Sequence, residues 1–295
     1  MPELPQVEAL ARSLTRVVSG RRIEDIQVSS ISALKTFSPP VSALCGRTVG
    51  SVARRGKLLV ISTEQGSSTA GVAASLNLVI HLARSGWVRW HEVMPIRRPA
   101  LRGPVAMRLA FEGGGGVEIT EQSSEKRLAL YVVEELDDVP ALARLGVDAL
   151  DPTLDVGTLR ARLASSTGHL KKVLTEQRVI GGIGNAYSDE VLHLARLSPF
   201  RPVSRLTEEE IERLHAALVE VLSDAARDAA ESEPDELKRD KKARLRVHGR
   251  TGEPCPDCGE MIREVSFTHR SFQYCPRCQT GGRILADRRL SRLLK

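Results

Sequence analysis

Four cysteines near the C-terminal end of the chain form two Cys-x-x-Cys pairs, Cys255-Pro-Asp-Cys258 and Cys275-Pro-Arg-Cys278, with sixteen residues between them. Each pair can occupy one edge of a tetrahedron, and four thiolates complete the coordination of a zinc ion. Because such a site leaves no open coordination position, the spacing predicts one structural Zn²⁺ and not a catalytic metal. The intervening residues 262–265 and 271–274 are predicted to form a β-hairpin.

The composition bounds the class of protein. The 295 residues suggest about two domains, and a hydrophobic content of 41% is sufficient for a true core. No run of 18 apolar residues and no signal-peptide pattern occurs, so we expect a cytoplasmic protein without a membrane span, whose cysteines bind metal and do not form disulfides. The net charge of +6 fits a polyanionic partner such as nucleic acid, although a solvated charged surface explains it equally well.

The chain begins Met1-Pro2-Glu3-Leu4-Pro5. We expect removal of Met1, which would leave Pro2 as a terminal secondary amine. An α-amino group has a pKa of about 7.7–8.0, so it is a usable nucleophile near neutral pH and can hold a carbon as an iminium. Glu3 stands beside it as a candidate proton donor and acceptor. Taken alone, the motif is more often an ordinary chain start ahead of a helix.

The first half of the chain predicts one helix followed by short strands. Apolar residues recur at helical spacing from position 7 to 18, ahead of Gly20. The predicted strands are 23–28, 48–53, 57–62, 77–81, 87–90, 106–111 and 117–120. Gly113 to Gly116 separate the last two, as a hairpin connection would. The pattern favours a β-sandwich with a leading helix.

The helical period returns after a predicted linker at 146–152. The predicted helices are 156–163, 169–175, 186–195 and 208–229. Thr207 and Glu210 form a capping-box pattern at the start of the last helix, whereas 231–242 is charged and is predicted to be an exposed loop. We therefore predict a sandwich at 1–150, a helical domain at 151–245, a zinc finger at 246–282 and a basic extension at 283–295.

A glycine-rich run, Ile180-Gly181-Gly182-Ile183-Gly184-Asn185, precedes one of these helices. Exposed backbone N–H groups at a helix N-terminus suit a phosphate. A plain helix–helix turn is an equally good interpretation of the run alone.

These motifs occur in one order over most of the chain, together with Arg55-Gly56-Lys57 and His81-Leu82. In combination they resemble the formamidopyrimidine-DNA glycosylase/endonuclease VIII family. The resemblance implies an α+β fold: an N-terminal β-sandwich with a leading helix, a helix–two-turn–helix domain and a C-terminal zinc-finger β-hairpin, with DNA in the cleft between.

The resemblance also assigns roles. Pro2 matches the nucleophile that attacks C1′ of a damaged nucleotide, and Glu3 matches the acid/base that opens the sugar ring. Lys57 and Arg270 match further residues of the catalytic centre that bind phosphates beside the lesion. Asn185 matches a phosphate ligand at a helix N-terminus, and Lys171 matches a basic DNA-binding position. Individually, Lys57, Lys171 and Arg270 could each be solvated surface charges.

Two segments depart from the oxidised-purine enzymes of the family. Ala83 and Arg84 stand where those enzymes have Gly and Met, and Met there fills the gap left by the flipped base. Lys126 and Leu128 stand where they have the Arg that pairs with the orphaned base and a Phe wedge. We expect Arg84, Lys126 and Leu128 to contact DNA and to set lesion preference, with Leu128 able to serve as an apolar wedge.

The favoured function is a base-excision repair DNA glycosylase that removes damaged bases, with oxidised bases as the expected lesions, and also cleaves the abasic site by β/δ-elimination. Its partner would be double-stranded DNA carrying damaged bases or abasic sites, and we expect a monomer associated with the nucleoid. The alternatives are a non-catalytic DNA-damage-binding protein of the same fold and, less well supported, a metal-dependent nuclease.

Overall fold

The structure is a computed structural model that describes residues 1–65, 75–101, 103–267 and 271–286. The chain divides into two compact units. The first comprises Met1–Arg144 with Ala229–Leu237, and the second Leu145–Asp228 with Lys238–Lys295. The predicted domain boundaries at 150, 245 and 282 stay predictions, and most of the predicted 283–295 extension lies outside the described residues.

Helix α1 runs from Leu4 to Val18, as the apolar spacing predicts. Its buried face includes Leu10, Leu14 and Val18, each no more than 3% exposed. Pro5 occupies the first turn, where its missing N–H has no intrahelical partner to lose. Burial of this face against the strands fixes the N-terminus of the chain on the first unit.

Two antiparallel four-stranded sheets follow. Their strands are β1 Ile23–Val28, β2 Thr48–Arg55, β3 Leu58–Glu64, β4 Leu76–His81, β5 Gly86–His91, β6 Val105–Phe111, β7 Gly116–Glu121 and β8 Ala129–Val133. One sheet has the order β2-β3-β4-β8 and the other β1-β6-β7-β5. Buried side chains of both sheets and of α1 form one apolar cluster, so the predicted sandwich with its leading helix is confirmed.

Strand β8 was not predicted from the sequence. It pairs with β4, and four of its five residues are buried. A strand that is buried on both faces lacks the alternation of polar and apolar residues that marks half-buried strands. The sequence Ala-Leu-Tyr-Val-Val therefore shows no alternation of polar and apolar residues that would predict a strand.

The second unit is mainly helical. It contains α3 Val156–Ala164, α4 Leu170–Thr175, α5 Asn185–Leu194 and most of α6 Glu208–Glu231, while the short α2 Pro140–Ala143 lies in the first unit. The capping box of α6 is confirmed: Glu210 N donates to Thr207 Oγ1 at 3.2 Å, and Thr207 N donates to Glu210 Oε2 at 2.9 Å.

Two predictions for this part of the chain are wrong. The predicted linker at 146–152 contains strand β9, Val147–Asp148, which pairs in parallel with β10, Ile180–Gly181. The predicted exposed loop at 231–242 contains most of helix α7, Leu237–Arg244. Leu237 is the one residue of α7 that is buried, so the helix gave no apolar period in the sequence.

The predicted hairpin near the C-terminus is confirmed. Strands β11, Arg263–Ser266, and β12, Ser271–Tyr274, pair antiparallel, and α8, Pro276–Thr280, follows directly. No helix in the described ranges combines the length and the apolar character that crossing a membrane requires.

Candidate functional site

The N-terminus of α1 holds the predicted nucleophile and its neighbouring acid. Pro2 is buried, and Glu3 is 1% exposed. Glu3 is the N-cap of α1, where its side chain accepts from the backbone N–H of Gln6 and the Gln6 side chain accepts from the Glu3 N–H at 3.2 Å. This reciprocal capping box fixes the backbone of Glu3, and the first turn of a helix is a favourable position for a carboxylate.

The turn that carries Lys57 is fixed to α1 by Arg54, a residue that sequence analysis did not single out. The Arg54 Nε donates to Glu8 Oε2 at 2.9 Å, and its Nη1 donates to the carbonyl of Gly56 at 3.0 Å. The Arg54 side chain is 8% exposed, so this charge pair is largely removed from water. Gly56 has φ of +57°, which a side-chain-bearing residue adopts only with strain. Arg54 thereby joins the Lys57 turn to the helix that begins with the Pro2–Glu3 pair.

Lys57 itself is 8% exposed and lies next to His81. Burial, and then the charge of Lys57, hold the pKa of His81 below its usual range. His81 therefore stays neutral at neutral pH, which agrees with its position as a packed residue at the end of β4.

The two segments expected to govern lesion preference contact each other. Arg84 is exposed in the turn between β4 and β5, and Lys126 is exposed in the connection from β7 to β8. The Ser123 N–H donates to Ser85 Oγ at 3.2 Å and so joins the two segments. Ala83 has φ of +50°, in the left-handed region that favours glycine, which fits the glycine of the oxidised-purine enzymes at this position.

The position of Leu128 contradicts the prediction that it is an apolar wedge between DNA bases. Its side chain is 2% exposed and belongs to the apolar cluster of the sandwich. The carboxylate of Glu121 accepts from the N–H groups of Arg127 at 2.8 Å and Leu128 at 3.0 Å, which directs Leu128 inward. Leu128 is therefore a core residue in this conformation, and Lys126 and Arg84 remain the exposed members of the predicted set.

Lys171 also differs from expectation. It is 7% exposed, and its Nζ donates to Asp189 Oδ1 at 2.6 Å, the Asn185 carbonyl at 2.6 Å and Ser188 Oγ at 2.8 Å. These three contacts match the three donors of an ammonium group. Lys171 thus orients the N-terminal turn of α5 from within the protein, which is not the direct DNA contact that we predicted.

Asp189, which sequence analysis missed, is the fully buried partner of Lys171. Its second oxygen accepts from His248 Nδ1 at 2.6 Å and from the Gln273 N–H at 3.2 Å. The adjacent Glu190 accepts three backbone N–H groups, those of residues 246, 247 and 248. Helix α5 is therefore attached by two carboxylates to residues 246–248 and to strand β12.

Breaking the Lys171–Asp189 pair should be costly. We expect Lys171→Met to lower the free energy of unfolding by about 3–5 kcal/mol, since it removes the cation paired with the buried Asp189 carboxylate and leaves Oδ1 of that carboxylate without the Lys171 donor. The neighbouring Lys172→Met is the matched control: Lys172 is 59% exposed and only 3.7 Å from Glu176, so its loss should change stability by no more than about 0.5 kcal/mol. Urea unfolding measures both, and equal small effects would contradict the assignment.

Asn185 lies at the first position of α5, where the helix presents its free N–H groups. Its Nδ2 donates to the carbonyl of Ser271 at 2.6 Å, which joins the helix N-terminus to the start of β12. Arg270, the predicted phosphate ligand that precedes Ser271, lies outside the described residues. The N-terminus of α5 and the finger hairpin are thus brought together within the second unit.

The four finger cysteines converge as the spacing predicts. Their sulfur atoms lie within 4.8 Å of one another, with Cys258–Cys275 at 3.4 Å and Cys255–Cys278 at 3.9 Å. A zinc–sulfur bond of about 2.3 Å implies tetrahedral edges of about 3.8 Å, so the donor set fits Zn²⁺. Burial raises the pKa of Cys275 to about 11, whereas the backbone N–H of Glu260 lowers the pKa of Cys258. A cation at the centre is what permits four thiolates there.

Comparison with known proteins agrees with this geometry. Three family models match: the formamidopyrimidine-DNA glycosylase N-terminal domain at residues 1–127, the formamidopyrimidine-DNA glycosylase H2TH domain at 145–234, and the zinc finger found in FPG and IleRS at 252–281. The formamidopyrimidine-DNA glycosylase of Desulfitobacterium hafniense is 33% identical over 95% of this chain and all of its own. This chain belongs to the formamidopyrimidine-DNA glycosylase family.

Other members of the family are similar over nearly their full length. The crystal structure of the MutM (Fpg) protein of Thermus thermophilus has a TM-score of 0.77 and 31% identity, covering 94% of this chain and 98% of that one. The Lactococcus lactis Fpg in complex with FAPY-dG-containing DNA has a TM-score of 0.79 and 26% identity, covering 94% and 100%. An uncharacterised formamidopyrimidine-DNA glycosylase-like protein of Mycobacterium tuberculosis is 54% identical over 53% of this chain and 98% of its own length. The predicted family, the α+β fold and the structural zinc are therefore confirmed.

Proposed function

We propose that this chain is a base-excision repair DNA glycosylase that excises damaged bases and cleaves the resulting abasic site. Its relatives are formamidopyrimidine-DNA glycosylases, and the Lactococcus lactis relative has been crystallised with FAPY-dG-containing DNA and with abasic-site DNA. The observation that carries the proposal is the Pro2–Glu3 pair, buried at the N-terminus of α1 and fixed by the capping box with Gln6. We infer that it acts as a monomer on nucleoid DNA in the cytoplasm.

The chemistry starts once Met1 is removed. The Pro2 nitrogen forms a bond to C1′ of the damaged nucleotide, the C1′–N bond to the base breaks, and the base leaves with the proton that the Pro2 nitrogen releases. Glu3 donates a proton to the sugar ring oxygen, the C1′–O4′ bond breaks, and an iminium joins Pro2 to C1′. The base must leave the helical stack for these atoms to meet.

Strand cleavage follows from the iminium. The positive nitrogen acidifies the C2′ proton, and loss of that proton expels the 3′ phosphate. A second elimination expels the 5′ phosphate, and water then hydrolyses the iminium and frees Pro2. Neither a redox cofactor nor a catalytic metal takes part in these steps, and the zinc serves the fold of the finger.

Phosphate recognition is assigned to Lys57, Asn185 and Arg270. Such contacts position the duplex and carry no sequence information. Lesion preference is assigned to exposed Arg84 and Lys126 on the two contacting segments of the sandwich. The Lactococcus lactis relative has been crystallised both with FAPY-dG and with oxidised-pyrimidine DNA, so both lesion classes belong in a substrate panel.

Borohydride trapping tests the proposal. Mixed with an abasic duplex and borohydride, the protein should form a covalent adduct through Pro2, and lesion duplexes that are excised should give the same adduct. A form extended by several residues ahead of Pro2 should give none, because its nitrogen is then an amide. Binding to abasic DNA without any adduct from the unextended protein would favour the damage-binding alternative, and full trapping by the extended form would place the nucleophile elsewhere.

A further inference from the structure

His193 lies against the zinc centre, although no sequence motif includes it. It is located near the C-terminal end of α5 and is 1% exposed. Its Nε2 is 3.2 Å from the Sγ of Cys255, which is itself 3% exposed. The nearest carboxylate oxygen recorded for this nitrogen, Asp257 Oδ2, is 3.8 Å away. The thiolate of Cys255 is therefore the hydrogen-bond partner of this nitrogen.

In the hydrogen bond between His193 and Cys255, the imidazole is the donor and the sulfur is the acceptor. A zinc-bound thiolate carries negative charge and has lone pairs to accept a hydrogen bond. An imidazole offers an N–H at one ring nitrogen in its neutral form and at both in its charged form. A buried nitrogen without a partner would incur the full cost of desolvation. The arrangement in which Nε2–H donates to the Cys255 sulfur satisfies both groups.

We propose that His193 is a fifth residue of the zinc centre, in which its Nε2–H donates to the Cys255 thiolate and slows the loss of zinc. The hydrogen bond withdraws charge from the sulfur and holds it in the orientation that the tetrahedron requires. Groups outside the ligand set that orient metal ligands commonly change metal affinity by about 10- to 100-fold.

The same contact attaches the finger to α5. Further bonds join the finger to α5 and to the turn after it: Gln279 Nε2 donates to the carbonyl of Leu197 at 3.0 Å, Asn185 Nδ2 donates to the Ser271 carbonyl at 2.6 Å, and the Gln273 N–H donates to Asp189 Oδ2 at 3.2 Å. Helix α5 thus contacts the finger at both of its ends. Zinc retention is in this way linked to the helix whose first residue, Asn185, is assigned to phosphate binding.

Two substitutions of His193 with side chains of similar length test the hydrogen bond separately from the packing. The Nε2 of Gln in His193→Gln can replace the imidazole donor, whereas His193→Met fills similar space without an N–H. The zinc-loaded full-length protein is mixed with excess colorimetric chelator, and the rate of zinc release is followed. We expect His193→Met to release zinc about 10- to 100-fold faster than the natural protein and His193→Gln to stay within a few-fold of it.

A matched control comes from His215, whose partly buried Nε2 lies 2.7 Å from the Leu154 carbonyl in the same unit. His215→Met removes a comparable histidine contact away from the finger and should leave zinc release unchanged. Cobalt substitution gives a second readout: without the hydrogen bond, the thiolate-to-cobalt charge-transfer band of His193→Met should move to lower energy.

Three outcomes would overturn the proposal. One is zinc release from His193→Met at the natural rate. Another is equally fast release from His193→Gln and His193→Met, or isolation of both without zinc, since the residue would then act by shape alone. The third is an unshifted charge-transfer band in His193→Met.

Discussion

Glu3→Gln should reduce base excision by about 10²- to 10⁴-fold, the usual contribution of a positioned general acid/base. The amide oxygen of Gln can still accept the Gln6 N–H in the capping box, so α1 should begin at the same residue. What is lost is the exchangeable proton that opens the sugar ring. Single-turnover excision from a lesion duplex measures the loss, and affinity for an abasic-site analogue should change little.

The control for this substitution is Glu24→Gln, which alters an exposed carboxylate on β1. It removes the same charge from the first unit and should leave excision unaltered. Excision by Glu3→Gln at the natural rate would mean that another group supplies the proton. A parallel fall in affinity and excision would instead assign Glu3 to DNA binding.

Cys258→Ser should remove the zinc and unfold the finger. Structural zinc sites contribute about 10–16 kcal/mol to the folding of small units, so three remaining thiols should not hold the hairpin at neutral pH. The finger carries Arg270 and the Ser271 carbonyl that binds Asn185, so DNA affinity should fall severely. Elemental analysis gives the zinc content, and fluorescence anisotropy with an abasic duplex gives the affinity.

The sandwich serves as an internal reference for that experiment. Trp87 and Trp90 both lie in β5, so the thermal transition seen by tryptophan fluorescence should barely move in Cys258→Ser. Cys45→Ser, at an exposed cysteine outside the finger, should retain one zinc and full affinity. Stoichiometric zinc in Cys258→Ser would contradict the tetrathiolate assignment.

The sequence was most informative where function depends on local spacing. The zinc ligands, the capping box at Thr207 and the hairpin of the finger each lie within one short continuous segment of the chain, and the structure has all three. The sandwich strands were likewise predicted wherever apolar runs were bounded by turn residues.

The sequence was uninformative where a distant group decides a side chain's environment. Lys171 looks like a surface cation until Asp189, eighteen residues later, is folded against it. Leu128 has the size of a wedge residue. Its side chain points into the core because the backbone N–H groups of Arg127 and Leu128 donate hydrogen bonds to the Glu121 carboxylate. Arg54 and His193 belong to no motif, because their partners Glu8 and Cys255 come from other elements of the chain.

The carboxylate of Asp189 has a consequence for domain grafting. It accepts hydrogen bonds from α4, from His248 and from β12, which are separated by up to about one hundred residues of chain. The β12 donor is a main-chain N–H that almost any foreign finger would provide, whereas Lys171 and His248 are specific side chains. A finger transplanted from a relative should therefore be accepted when the junction is placed after His248. A junction before His248 would replace this residue, which is one of the three donors. The buried negative charge of Asp189 would then be less well neutralised.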